Sequence, residues 1–197
     1  MSTLELKELS APAGEVIKIA AGKTLDLKSQ GTTTLPTGSV LQVVSSTLKS
    51  ANAIPSNATN TFVSLGLSAE ITPVSTSSKI LVEVNISVSM SAGTFHFRIA
   101  RGSDQTICIA DAGESNQLRD TASFREAGTP YAHNITSVPM SFLDLPSTTS
   151  ATTYSVVGTL GSSYSNAVMY INRPSATQNI DYDPRSTSTI TLTEIQG

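Results

Sequence analysis

Two histidines, one cysteine and 15 acidic residues are what this 197-residue chain offers for chemistry. His96 alternates with Phe95 and Phe97. In a strand that puts it on the face opposite the phenylalanines, toward solvent or a neighbouring subunit. His133 lies in a polar stretch. Neither has the Cys/His cluster or HExxH spacing that a metal needs, so no metal site is expected. There is no Gly-rich phosphate loop and no GxSxG elbow. A glycosidase needs two carboxylates facing each other across a cleft. The candidates Asp104, Asp111, Glu114, Asp120, Glu126, Asp144, Asp181 and Asp183 are scattered, mostly in expected loops. Asp181-Tyr182-Asp183 offers two carboxylates where calcium takes roughly six to eight oxygens, and it reads as a solvated turn before Pro184. Cys108, between Ile107 and Ile109, reads as a small buried hydrophobe in a strand, and a single cysteine forms no internal disulfide. The expectation is no catalytic residue, no metal and no cofactor.

Binding is the other use for such residues. The chain has no tryptophan, which weakens the case for a sugar-stacking platform. Tyr131 falls in a long polar loop over 111–136 and Tyr164 at a turn. An exposed tyrosine beside polar groups suits an adaptable binding surface, with ordinary packing at a sheet edge as the alternative. Together with Arg119, Arg125 and His133 of the same long loop, these are the candidate ligand- or receptor-binding residues.

Composition narrows the class. Charged residues make up 14% of the chain, against roughly 25% in an average globular protein. Ser and Thr fill the gap, at 30 and 26 residues, and the net charge is −3. Disorder pairs low hydrophobicity with high net charge. Here Ser and Thr alternate with Val, Ile and Leu, as in a sheet that meets water on one face. Twelve scattered Lys and Arg form no basic patch, so nucleic acid is not an expected partner. No apolar run is long enough for a membrane-spanning helix, so no membrane insertion is expected. Glu5, Lys7 and Glu8 among the first leucines do not make a signal peptide. Synthesis in the cytoplasm without standard export is therefore expected.

The elements that would hold these residues are strands. In residues 1–35, Leu4 with Leu6, Ile17 with Ile19 and Leu25 with Leu27 recur between turn formers at 11–14 and 21–23. Such short strands cannot bury an apolar face alone. With Leu9, these residues are expected to form an attachment or oligomerisation segment. Gln30–Thr37 is the expected boundary, and 36–197 the head. Within the head, Lys79–Met90 alternates Ile80, Val82, Val84, Ile86, Val88 and Met90 against Leu81, Glu83, Asn85, Ser87 and Ser89, a period of two. Thr94–Arg101 repeats the pattern, and Gly93 is expected to join the two as an antiparallel hairpin. Further strands are expected at 39–46, 61–71 with a bulge at Gly66, 105–110, 137–145, 153–161, 166–172 and 188–196. A short helical turn is expected near 123–127. Pro139 inside a strand pattern marks an edge. About nine strands and no ordinary helix predict an all-β chain, an antiparallel β-sandwich or jelly roll.

Four stretches carry a family resemblance: MSTLELKELSAPAGEVIKIAAGKTLDLKS, TLPTGSVLQVVSS, ITPVSTSSKILVEVNISVS and STSTITLTEIQ. They resemble fibre-like virion proteins of marine and cyanobacterial phages. The resemblance implies a short β shaft, a β-sandwich knob and assembly as a homotrimer. It implies a non-enzymatic virion protein, tail-fibre-like, that contacts other virion proteins and a host-surface polysaccharide or protein. A capsid decoration or head-fibre protein held to the shell by residues 1–35 is the alternative, because 197 residues is short for a whole tail fibre. A polysaccharide depolymerase is disfavoured by the lack of paired carboxylates and of tryptophan.

Overall fold

The computed structural model describes residues 21–24, 35–54, 60–103, 105–125, 133–161, 167–176, 178 and 180–197. The chain divides into two compact units, Met1–Leu35 and Pro36–Gly197. Of the first unit only 21–24 and Leu35 are described. Leu4, Leu6, Leu9, Ile17, Ile19, Leu25 and Leu27 lie outside the described residues.

The second unit is all-β. Its strands are β1 (Val40–Leu48), β2 (Asn52–Ile54), β3 (Val63–Ile71), β4 (Lys79–Met90), β5 (Thr94–Arg101), β6 (Gln105–Thr106), β7 (Ala122–Arg125), β8 (Thr136–Asp144), β9 (Thr152–Leu160), β10 (Met169–Ile171) and β11 (Ser188–Ile195). All pairings are antiparallel. One sheet runs β1-β11-β4, with β8 on the far side of β4, and β2 and β10 continue the lines of β1 and β11. The other runs β3-β9-β5, with β6 and β7 sharing the outer edge of β5.

Alternation puts the core between the sheets. Ile80, Val82, Val84, Ile86, Val88 and Met90 of β4 are all buried, as are Phe95, Phe97 and Ile99 of β5. They meet Leu65, Leu67 and Ile71 of β3, Val156 and Leu160 of β9, and Ile190 and Leu192 of β11. Each such fully buried side chain contributes about 2 kcal/mol. Gly158 lets the layers close: a Cβ there would stand 3.1 Å from both Leu65 methyls and 3.2 Å from Met169 Cε. Gly66 has φ +81° and sits in the register break between Ser64 and Ser68 of the β3–β9 pair. That bulge needs a residue at ease with positive φ.

A polar link closes one end of the sandwich. Asp144 of β8 accepts from Arg101 Nη1 (2.7 Å) and from Tyr154 Oη (2.7 Å). The bonds tie β8 in one sheet to β5 and β9 in the other. Asn172, at φ +59°, closes a second gap. Its Nδ2 donates to Leu48 O (2.8 Å) and Ser50 O (3.0 Å), across the break between β1 and β2. Its Oδ1 accepts from Ser188 Oγ at 2.6 Å, which joins the end of β10 to the start of β11.

Several expectations need correction. β4 and β5 are not a hairpin: Gly93 (φ +97°) makes the turn, but β4 lies in one sheet and β5 in the other. Both strands turn an apolar face to the same core, which a crossing between layers satisfies as well as a hairpin does. Of the helical turn expected near 123–127, residues 123–125 belong instead to β7, because Ala122 and Phe124 point inward and pair with Phe97 and Phe95, and 126–127 lie outside the described residues. The expected strand at 105–110 stops at Thr106, and Cys108 is a half-buried bend residue. Among the described residues there are eleven strands where about nine were expected. Pro139 does sit on an edge, since among the described residues β8 pairs with β4 alone.

Candidate functional site

The outward face of the β3-β9-β5-β7 sheet carries a walled cleft. Its floor comes from Thr94 and His96 of β5 and from Ser123 and Arg125 of β7. The register sets His96 opposite Ser123 and Thr94 opposite Arg125, so alternation aims all four away from the core. The wall is the segment from Ala110 to Asp120, and Asn60 and Gly161 close the other side around a cavity of about 720 Å³.

Backbone and side-chain bonds fix the wall. Ala110 N donates to Asp120 O (3.2 Å), and Thr121 N to Phe97 O (2.8 Å). Thr121 Oγ1 donates to Cys108 O and accepts from Ile99 N. Arg119 Nε donates to Ala110 O (2.6 Å), and Arg98 Nε donates to Arg119 O (2.6 Å). The Arg98 guanidinium also lies 3.6 Å over the Phe62 ring, a cation–π contact. Partial burial draws the Arg98 pKa below its ordinary value, and the charge of Asp120 opposes this.

His96 Nδ1 donates to Asp120 Oδ2 at 2.5 Å, with both side chains less than one-fifth exposed. His96 does lie on the face opposite the phenylalanines, and there the loop folds back so that Asp120 covers part of its ring. A carboxylate holding a histidine also orients the base in hydrolases, where the other ring nitrogen takes a proton from a nucleophile. Among the described residues no hydroxyl bonds His96 Nε2, and that nitrogen faces Gly161, where a Cβ would stand 3.6 Å away. The His96–Asp120 bond ties the wall to the sheet.

Of the five candidate binding residues, the structure brings Arg119 and Arg125 to this cleft. His133 goes elsewhere. Its Nδ1 donates to Asp183 Oδ1 (2.5 Å), and its ring meets Tyr182 edge-on at 4.9 Å. Asp183 is thus a mostly buried acceptor, not the solvated turn residue expected, while Tyr182 is 60% exposed. Tyr131 and Tyr164 lie outside the described residues. Asn60, Thr94, Asn116, Gln117 and Ser123 line the cleft without having been singled out, and His96 and Asp120, weighed only as catalytic or metal-binding groups, join them there. His96 and Asp120 are 24 residues apart, and nothing local marks such a pair. Among the described residues no group of three His, Cys, Asp or Glu side chains is placed to hold a metal ion.

A shallower groove of about 530 Å³ lies on the outer face of the other sheet, along Glu83, Asn85, Pro139, Ser141, Thr189 and Thr191. It is floored by paired strands and has one charged group. No known family model matches the chain, and no curated protein matches it in sequence.

Proposed function

We propose that this chain is a non-enzymatic structural protein of a bacteriophage particle, tail-fibre-like, whose head unit attaches the particle to the host surface. In this reading residues 1–35 join the chain to other virion proteins and to two further copies, giving a homotrimer. The observation that carries the reading is the strand order. Counting β2 with β1, β10 with β11 and β6 with β7, the sheets read β1-β11-β4-β8 and β3-β9-β5-β7. We infer from this the eight-strand jelly roll, an architecture recurrent in viral capsid and lectin domains. Fold alone does not give function. The walled cleft adds a site suited to binding, and the resemblance of the four stretches to phage fibre proteins adds the setting.

Attachment of this kind relies on several weak sites acting together. The purified chain, added in excess to host cells, is expected to slow adsorption of the phage that encodes it. A chain altered in both 111–120 and 161–166 should lose that inhibition while keeping its melting temperature. Full inhibition by the altered chain would remove the head loops from the attachment role. The decoration reading keeps the particle and moves the functional contact to residues 1–35.

A further inference from the structure

We infer that the cleft on the β5–β7 face takes a neutral saccharide, a run of uncharged sugar units recognised through their hydroxyls. The inference rests on the attachment reading for its setting, and on the lining for its chemistry. Charge is matched inside the cleft before any ligand arrives. Asp120 is met by His96 at 2.5 Å. Arg119 directs Nε at Ala110 O and shares the wall with Asp111, of opposite sign. Arg125 is already engaged within the protein. A charged ligand would find no unmatched partner here and would still have to shed its water.

The groups left over are neutral. Among the described residues the side chains of Asn60, Thr94, Asn116 and Ser123 make no hydrogen bond within the protein, although all four line one cavity of about 720 Å³. An amide or a hydroxyl both donates and accepts, and so does each hydroxyl of a sugar. An apolar ligand would strip water from these groups without replacing its hydrogen bonds, at a cost for each. A peptide is matched less well than a sugar. Its side chains would meet only Ala110 and Leu118 as apolar lining, and the floor strands β5 and β7 already pair with each other, which leaves no strand to extend within the cleft.

The lining is held ready. Asn60 has φ +56°, a left-handed conformation that residues other than glycine seldom adopt and that gathers at ligand sites. Its N donates to Leu160 O, and Gly161 N donates to Thr94 O, both at 3.0 Å. Backbone bonds thus tie this rim to the sheet. On the wall, Gln117 Oε1 accepts from Glu114 N at 3.0 Å, which fixes the turn that carries Asn116. Groups fixed beforehand lose less freedom when a ligand binds. No aromatic side chain lines the cleft, so stacking is absent and single-site affinity should be weak, with a Kd on the order of 1 mM. Several copies acting together would supply the rest.

The test is saturation-transfer NMR titration of the full chain with maltotetraose, cellotetraose, mannotetraose and galactotetraose in turn, and with tetragalacturonate as the charged comparison. At least one neutral tetrasaccharide should bind, with an affinity unchanged between about 50 mM and 0.5 M NaCl. Tetragalacturonate should bind no more tightly than the best of them. Asn60→Gly suits the left-handed backbone, so it removes the amide without straining the fold. Ser123→Ala acts at an exposed position of β7. Each variant should melt as the native chain does and bind about fivefold more weakly, the worth of one neutral hydrogen bond. No binding by any neutral tetrasaccharide, binding undiminished in either variant, or tetragalacturonate bound ahead of all four would overturn the inference. Cell adsorption separates it from the reading it rests on. If the native chain slows phage adsorption yet binds none of the four, attachment stands and the saccharide site falls. If it binds one of them but never slows adsorption, the site stands and attachment falls.

Discussion

Asp144 holds two donors at 2.7 Å each, Arg101 and Tyr154, with little water to share them. Removing one partner of a buried charged pair costs more than the pair itself contributes, because the other charge keeps its desolvation penalty. Asp144→Ala should therefore lose about 3 kcal/mol in urea unfolding. Tyr154→Phe, which deletes one hydrogen bond and keeps the ring, should lose about 1 kcal/mol. Burial first, and then the bond to Asp144, hold the Tyr154 hydroxyl well above its ordinary pKa of 10.0. The folded state thus binds that proton more tightly than the unfolded chain does. Its contribution is fully present below pH 10 and declines as pH rises beyond it. Between about pH 10 and 11, native stability should fall more steeply than that of Tyr154→Phe. Parallel curves would mean that Tyr154 does not carry the alkaline loss.

Among the elements, β4 was the most legible. Six apolar residues at period two from Ile80 to Met90 fit only a strand with one buried face, and every one of them is buried. The sheet to which a strand belongs was not legible. Alternation tells which side chains face inward, and β4 and β5 bury equally well as hairpin partners or as members of facing layers. Short polar pieces were hardest to read. Asn52–Ile54 pairs as β2 on three residues with no pattern of their own. The cleft was half legible: Arg119 and Arg125 were named as binding residues for lying in a long polar loop, whereas the His96–Asp120 contact depends on where that loop folds. Asn172 is the element-scale device most exposed to test. It bridges Leu48 O and Ser50 O from a left-handed backbone position. Asn172→Ala combines lost bonds with strain and should cost about 3 kcal/mol. Asn172→Gly relieves the strain and should cost about 1 kcal/mol less than the alanine variant. Equal losses would assign the whole effect to hydrogen bonds.

At the scale of the molecule, the two sheets face each other over one core, and their outer faces differ. The β1-β11-β4-β8 face is a plain of Ser and Thr, with Val43, Thr193, Leu81 and Leu143 side by side in register across it. The β3-β9-β5-β7 face is roofed by a bonded loop and holds the cleft. On the proposed attachment reading, the cleft face would be the one that meets the host. The most direct test of that account is to label purified particles of the encoding phage with an antibody to residues 36–197 and image them by electron microscopy. Attachment predicts label at the tail, at the end that meets the host. Label spread over the shell would contradict host attachment and make residues 1–35 the functional contact of a decoration protein. Particles without label would remove the chain from the virion.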